Sequence, residues 1–276
     1  MSEGARTPLA YTVDGPKDGT PLVLLHGFPL DHTMWDDQKD LGDLGFRLVL
    51  PDLRGHGKSP TFDEPSTMAR CADDVFRLMD HLGFPRFVLA GFSLGGYVAL
   101  QMTVQAPERI EGLILTDTRA EPDSAEGKAG RAKTIQALQT DGMKALVESM
   151  VPKFLTERGR EKHPDVVERL TRTILRNPVK GAIHALEGMA ERPDQRPNLA
   201  KIRAPTLIVV GAEDKLTPPE AAIAMKAAIP DSQIRILTGA AHLSTLEAAE
   251  AYNHVVGDWL KALKARPQPV KLKKST

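Results

Sequence analysis

The chain has 276 residues, 41% of them hydrophobic and 26% charged, which is enough to bury a sizeable core. Its 36 basic side chains balance its 36 acidic ones, which argues against nucleic acid or an anionic membrane as the main partner. The single cysteine, Cys71, excludes an internal disulfide and argues against a cysteine-based metal site.

The first residues of the chain do not predict a signal peptide, and its last residues predict a flexible tail. The first six residues lack the apolar core of a signal peptide, and no apolar run approaches the ~20 residues needed to span a bilayer. We therefore expect a cytoplasmic protein without a membrane partner, either a monomer or a small homo-oligomer. Residues 266–276 are basic and bounded by prolines, and they are predicted to be a flexible tail.

Short apolar runs of strand length alternate with helical patterns along most of the chain. This alternation predicts an α/β fold with a mostly parallel, twisted sheet and helices on both faces. Only one candidate strand, at 9–13, precedes the first run, so the opening edge strand is expected to be truncated or missing. The apolar runs are 22–25, 46–50, 86–90, 112–116, 205–210 and 233–237.

Between Arg119 and Pro205 the alternation stops, and helical patterns follow one another without a convincing strand. Prolines near the ends of these patterns mark helix boundaries. We predict that residues 120–197 form an inserted helical cap over a core domain made of 1–119 and 198–265. The helical patterns are 125–140, 142–154, 165–175 and 179–191.

A Gly-x-Ser-x-Gly motif, Gly91-Phe92-Ser93-Leu94-Gly95, follows the apolar run 86–90 and precedes a helical pattern. Strand, motif and helix in this order are typical of a nucleophile elbow, a sharp turn that lifts the serine hydroxyl above the sheet. Glycine on both sides tolerates the close backbone approach that such a turn requires. Ser93 is therefore the predicted nucleophile.

A serine hydroxyl is a weak nucleophile until a base removes its proton. His242 lies in a loop of small residues after the run 233–237, and open α/β sheets assemble their sites at the C-terminal ends of strands. Asp214 follows the run 205–210 and is predicted to orient the imidazole and stabilise its charged form. Asp117, at the end of the run 112–116, is the alternative acid.

Three further histidines lie in loops near the same end of the sheet and are candidates for lining the site without acting as the base; they are His26, His32 and His56. A developing oxyanion also requires preorganised donors. The backbone N–H of Leu94, directly after the serine, is the first predicted donor. The N–H of Phe28, in the loop His26-Gly27-Phe28-Pro29, is the second.

Residues 8–265 resemble the α/β-hydrolase superfamily, in which the order along the chain is Ser, Asp, His. The resemblance is carried by 26–29, 52–59, the elbow, 211–214 and His242. Residues 117–120, 122–124 and 189–194 are similar to bacterial carboxylesterases of an enol-lactonase-like subgroup. The resemblance implies an α/β-hydrolase fold and a Ser-His-Asp triad.

These features predict a serine carboxylesterase that cleaves small-molecule esters of short to medium chain length through an acyl-enzyme. No cofactor or metal is expected, because no helix carries His-Glu-x-x-His or an equivalent ligand spacing. Hydrolysis of a lactone, in the manner of a 3-oxoadipate enol-lactonase, is the main alternative. Cofactor-free perhydrolysis and a non-catalytic ligand-binding role are the others.

Three bulky apolar residues are candidates for the wall of a substrate pocket. Trp35 follows the loop after the first apolar run, and Met150 and Met189 lie in the predicted cap. Methionine side chains adapt to different ligand shapes, which suits a tolerant pocket.

Overall fold

The computed structural model describes residues 9–266 and is built around a seven-stranded sheet. The strands are β1 (Tyr11–Asp14), β2 (Thr20–Leu25), β3 (Phe46–Pro51), β4 (Phe87–Phe92), β5 (Ile110–Thr116), β6 (Thr206–Gly211) and β7 (Ser232–Leu237). Their order across the sheet is β1-β3-β2-β4-β5-β6-β7. Only the edge pair β1–β3 is antiparallel, and the other neighbours are parallel.

The α-helices are α1 (Met68–His81), α2 (Leu94–Gln105), α3 (Ala125–Asp141), α4 (Lys144–Phe154), α5 (Glu157–Lys162), α6 (Pro164–Arg176), α7 (Val179–Ala190), α8 (Arg196–Leu199), α9 (Pro219–Ala228), α10 (Ser244–Glu247) and α11 (Ala249–Lys264). A 3-10 segment, His32–Leu44, follows β2 and packs against α11, whereas α1 packs against α2. Right-handed crossovers place these two pairs on opposite faces of the sheet. Within residues 9–266, no helix combines the length and the apolar character needed to cross a membrane.

The burial of the strands explains why most of them appear in the sequence as short apolar runs. All six residues of β4 are buried, as expected for a central parallel strand that is covered on both faces. The edge strand β7 instead alternates between partly buried and exposed residues over most of its length. Each of the six predicted apolar runs overlaps a strand, with only Arg86 and Pro205 falling one position outside it. The candidate strand at 9–13 overlaps β1, the single strand found before Thr20 in the described chain.

Between β5 and β6 lie six helices, α3 to α8, which we call the inserted helices. Four of them correspond to the predicted patterns, whereas α5 and α8 were not expected, nor was the 3-10 segment. The division of the chain into a core and a cap stays a prediction. The predicted tail lies outside the described residues except for Arg266, and the first six residues lie outside them as well.

Charged and amide side chains join the inserted helices to the sheet end of the molecule. Arg169 donates to Asp37 across 2.6 Å, and Arg176 donates to the buried Asp31 across 2.7 Å. Asn177, also buried, donates to the carbonyl of Pro29 at 2.9 Å and accepts from a backbone N–H in the loop after β3. The loops that follow β2 and β3 are therefore held directly beneath these helices.

Candidate active site

Ser93 occupies a strained turn between β4 and α2. Its φ of 50° and ψ of −112° lie where a residue with a Cβ rarely resides, at a cost of order 1–3 kcal/mol. The backbone N–H of Ser93 donates to the Thr116 carbonyl at 3.0 Å, and its own carbonyl accepts from the Thr118 hydroxyl at 2.9 Å. These two contacts with the end of β5 hold the turn in place.

The glycines of the motif are required by close packing. A Cβ on Gly91 would lie 2.4 Å from the carbonyl oxygen of Gly95, and a Cβ on Gly95 would lie 2.3 Å from that of Leu25. Both obstacles are backbone atoms, which a side-chain rotation cannot remove. The geometry is that of the predicted elbow, with the serine held at the C-terminal end of the central strand.

His242 lies in the loop between β7 and α10, and its two ring nitrogens face different partners. Nε2 is 3.0 Å from Ser93 Oγ, and Nδ1 is 2.9 Å from Asp214 Oδ2. The ring is almost fully buried, between Phe92 with a centroid distance of 5.1 Å and Phe154 at 5.9 Å. With the Nδ1 proton directed at the carboxylate, Nε2 presents its lone pair to the serine hydroxyl.

Asp214 is buried and accepts hydrogen bonds on both carboxylate oxygens. Oδ1 accepts from the backbone N–H groups of Leu216 at 2.8 Å and Thr217 at 3.0 Å. Oδ2 accepts from His242 and from the Thr217 hydroxyl. Burial alone would raise the pKa of Asp214, but the charge of His242 and these hydrogen bonds outweigh burial and keep the pKa below its ordinary value.

Asp117, the alternative acid, is engaged elsewhere. Its Oδ1 accepts from the N–H of Gly211 at 2.8 Å, and its Oδ2 accepts from the Ser244 hydroxyl. Complete burial and the nearby charge of Asp214 raise the pKa of Asp117 well above its usual range. Of the two candidate carboxylates, Asp214 is the one that the structure brings to the imidazole.

The loop that carries Phe28 passes directly beside the serine. A Cβ added to Gly27 would lie 3.2 Å from Ser93 Cβ. Leu94, the first residue of α2, is buried next to the serine on the other side. Both predicted oxyanion donors therefore belong to segments that flank the nucleophile, and their role stays a prediction.

His26 and His56 are buried and neutral in this environment. Nε2 of His26 accepts from the N–H of Leu53 at 2.8 Å, and its Nδ1 lies 3.0 Å from the carbonyl of Gly27. Burial lowers the pKa of His26 and brings that of His56 to about 3. Their rings meet edge to face with centroids 5.1 Å apart, so they support the loop that holds Phe28.

His32 belongs to the one cluster of acidic and histidine side chains among residues 9–266 whose potential ligand atoms lie close enough together to hold a metal ion. That group is Asp31, His32 and Asp52, with ligand atoms within 4.8 Å of one another. Each is already used: Asp31 pairs with Arg176, and Nδ1 of His32 lies 2.6 Å from Asp52. This hydrogen bond raises the pKa of His32. Burial alone would raise the pKa of Asp52, but this hydrogen bond and those from the backbone N–H groups of His32 and Lys58 help to lower it to about 2. The group fits an internal salt bridge better than a metal site.

The three predicted pocket residues make contacts with the core and within the inserted helices. Trp35 is fully buried, with its ring 6.4 Å from that of Tyr252. The sulfur of Met189 accepts from Arg131 at 3.4 Å, and Met150 is a half-buried member of the packing around the core. Their role in a substrate pocket stays a prediction.

Sequence reasoning missed several polar partners of the site. Thr118 lies one residue after Asp117, and Thr217 lies three residues after Asp214. Their position near the end of a strand is the only sequence feature that could have indicated a role in the site. Glu247 lies five residues after His242 and accepts from the N–H of Ala241 at 2.7 Å. Phe154 stacks on the imidazole, but nothing in its sequence context distinguishes it from an ordinary core residue.

Comparison with known proteins assigns a family to this arrangement. A model of the alpha/beta hydrolase fold matches residues 20–249. The sequence is 28% identical to 3-oxoadipate enol-lactonase 2 of Acinetobacter baylyi over 90% of this chain and 91% of the relative.

Two solved structures share both the fold and recognisable sequence. A thermophilic esterase from Thermogutta terrifontis, with malate bound, has a TM-score of 0.89 and 40% identity over 94% of this chain and 96% of its own. The enol-lactonase from Burkholderia xenovorans has a TM-score of 0.86 and 29% identity, and the match covers 91% of this chain and 96% of the enol-lactonase chain. The predicted fold and the predicted resemblance to enol-lactonase-like proteins are thus confirmed. The chain belongs to the α/β-hydrolase family.

Proposed function

We propose that the protein is a serine carboxylesterase that uses Ser93, His242 and Asp214 to cleave short- to medium-chain esters through an acyl-enzyme. The observation that carries the proposal is the continuous chain of contacts from Ser93 Oγ to His242 Nε2 at 3.0 Å and from His242 Nδ1 to Asp214 Oδ2 at 2.9 Å. Nucleophile, base and orienting acid within hydrogen-bond reach are what activation of a serine requires.

In the first half-reaction, His242 takes the proton of Ser93 while Oγ attacks the ester carbonyl. The backbone N–H groups of Phe28 and Leu94 stabilise the oxyanion of the tetrahedral intermediate. His242 then gives its proton to the departing alcohol as the carbon–oxygen bond breaks. In the second half, water attacks the acyl-enzyme by the same route and releases the acid.

Asp214 holds the imidazole in the productive tautomer throughout. Its two backbone donors and the Thr217 hydroxyl fix the carboxylate, so Oδ2 stays directed at Nδ1. The negative charge also stabilises the imidazolium that forms in each half-reaction. The depressed pKa of Asp214 means that this charge persists throughout the neutral pH range.

The proposal extends to the organisation of the chain, with residues 120–197 as a cap over the serine. The contacts of Arg169, Arg176 and Asn177 with the sheet-end loops support this arrangement. Trp35, Met150 and Met189 are proposed to form part of the apolar acyl pocket.

Hydrolysis of a lactone is the second candidate. The similarity to enol-lactonases from Acinetobacter baylyi and Burkholderia xenovorans favours it, and the same triad would open a cyclic ester. The similarity to the Thermogutta terrifontis esterase, at the higher identity of 40%, supports open-chain esters as the first choice.

Steady-state hydrolysis of p-nitrophenyl acetate, butyrate, octanoate and palmitate tests the proposal, with dihydrocoumarin as a lactone and Ser93→Ala as the inactive control. We expect the highest kcat/KM on the shorter esters and loss of nearly all turnover in Ser93→Ala. A strong preference for the lactone would favour the second candidate. Folded protein that turns over neither class would contradict both and favour a binding role.

A further inference from the structure

One carboxylate joins the loop of the proposed base to the inserted helices. Oε2 of Glu247 accepts from the backbone N–H of Ala241, which directly precedes His242, at 2.7 Å. Oε1 accepts from the backbone N–H of Thr156 at 2.9 Å and from the Thr156 hydroxyl. Glu247 thus spans from the junction of α4 and α5 to the residue next to the imidazole.

The residue on the other side of His242 is bound to the same junction. The N–H of Leu243 donates to the carbonyl of Phe154 at 2.8 Å. The Phe154 ring also stacks on the imidazole, with an interplanar angle of 24°. Phe154 therefore contacts the imidazole and the backbone after it directly, and Glu247 joins the backbone before His242 to Thr156.

The fit around Glu247 is too close to be an incidental surface contact. A Cβ on Gly159 would lie 1.8 Å from Glu247 Oε1, so a larger residue in the first turn of α5 would displace the carboxylate from its present position. The N–H of Gly159 donates to the Thr156 hydroxyl at 2.8 Å, which leaves the hydroxyl proton directed at the carboxylate.

We propose that Glu247 is a positioning residue for His242. By joining Ala241 to Thr156, Glu247 sets the distance between His242 Nε2 and Ser93 Oγ. That distance therefore depends on the position of the inserted helices relative to the loop of His242. This inference rests on the proposed function. A residue that acts through the base in this way affects the chemical step more than substrate binding.

Glutamine is the informative substitution because it keeps the shape and removes one acceptor. A carboxylate accepts on both oxygens, whereas the amide NH₂ of glutamine would face the N–H of either Ala241 or Thr156 and leave that donor unpaired. We expect Glu247→Gln to lower kcat about 10- to 100-fold, because a misplacement of about 1 Å in a catalytic group can cost about 100-fold in rate. KM should change by less than about twofold, since Glu247 is not expected to contact substrate.

The measurement is kcat and KM on p-nitrophenyl butyrate per active site, with the sites titrated by a fluorophosphonate so that loss of folded protein is not counted. Glu250→Gln, which alters an exposed glutamate three positions further along the chain, is the matched control and should leave both constants unchanged. Thr156→Val removes only the hydroxyl donor and should give a smaller loss of kcat. Thr156→Ser restores the hydroxyl and should restore the rate.

A fall in kcat per titrated site with KM preserved, together with recovery in Thr156→Ser, would support the positioning role. An unchanged kcat per site in Glu247→Gln would overturn it, as would an equal fall in Glu250→Gln. Failure of the proposed function is recognised separately, because the folded parent protein would then show no turnover, or Ser93→Ala would retain the turnover of the parent.

Discussion

The two carboxylate oxygens of Asp214 accept hydrogen bonds from different partners. An asparagine at this position would have only one oxygen and could accept from only one of these two sets of partners. Two backbone N–H groups at 2.8 and 3.0 Å converge on Oδ1, so the amide oxygen of the substituted side chain would remain on that side. The NH₂ group would then face His242 Nδ1, which accepts a hydrogen bond only if the ring proton moves to Nε2. That nitrogen is 3.0 Å from Ser93 Oγ and would no longer offer a lone pair.

The expected cost follows from this change of tautomer. Loss of the lone pair at Nε2, together with loss of the charge that stabilises the imidazolium, should lower kcat by about 10³- to 10⁴-fold. This corresponds to about 4–5.4 kcal/mol of transition-state stabilisation, at about 1.36 kcal/mol for each factor of ten. KM should change little, because Asp214 lies on the Nδ1 side of the imidazole, away from Ser93 on the Nε2 side.

The assay is hydrolysis of p-nitrophenyl butyrate by Asp214→Asn, with Asp117→Asn as the matched control. Asparagine at 117 can still accept from the N–H of Gly211 and donate to the Ser244 hydroxyl. The kcat of Asp117→Asn should therefore stay within about fivefold of the parent, which corresponds to about 1 kcal/mol for one neutral hydrogen bond. A kcat within tenfold of the parent in Asp214→Asn, alongside a 10³-fold loss in Asp117→Asn, would refute the reasoning and make Asp117 the acid.

Three further predictions concern stability and reactivity. The raised pKa of Asp117 means that its contribution to the free energy of unfolding is fully present below the unfolded pKa near 4 and is lost as pH rises through the folded pKa. Asp117→Asn should therefore remove part of the decline in urea-unfolding free energy between pH 4 and 8, and an unchanged slope would contradict this. Burial raises the pKa of Cys71 to about 12, so the native protein at pH 8 should not react with 5,5′-dithiobis(2-nitrobenzoate). The urea-unfolded protein should react, and rapid labelling of the native protein would contradict this prediction by showing an accessible thiol. Gly95→Ala, whose Cβ would meet the Leu25 carbonyl at 2.3 Å, should lower the unfolding free energy by about 1–3 kcal/mol and abolish turnover. Gly130→Ala, a helical glycine with no heavy atom within 4 Å of its added Cβ, should instead stabilise by about 0.5–1 kcal/mol, and equal effects of the two would argue against the steric account.

The parts of the site that follow directly from strand ends could be predicted from the sequence. Ser93 was identifiable because steric demands of a tight turn impose glycine at fixed offsets from the serine. Asp214 and His242 were identifiable as candidates because each lies in the loop after an apolar run, and parallel strands bring their C-terminal ends to one edge of the sheet. The choice between Asp214 and Asp117 needed the structure, since both residues satisfy that rule.

The contacts that join distant segments could not be predicted in this way. Glu247 and Thr156 are separated by 91 positions, and neither residue type stands out from the many polar residues near helix ends. Phe154 contacts the imidazole only because the end of α4 meets the loop that follows β7. The helix α5 is six residues long, too short for a hydrophobic period to be recognised.

The separation of 149 positions between Ser93 and His242 has a consequence for how the protein acquires activity. The elbow joins β4 to α2, and the farthest of the contacts that hold it at the end of β5 is only 25 positions from Ser93, so it can form before the last strands are in place. The imidazole reaches the serine only after β7 has paired with β6 at the far edge of the sheet, and contacts between such remote segments form slowly. During refolding from urea, turnover should therefore return later than the far-ultraviolet circular dichroism signal. The lag between the two would measure the time needed to complete the last edge of the sheet.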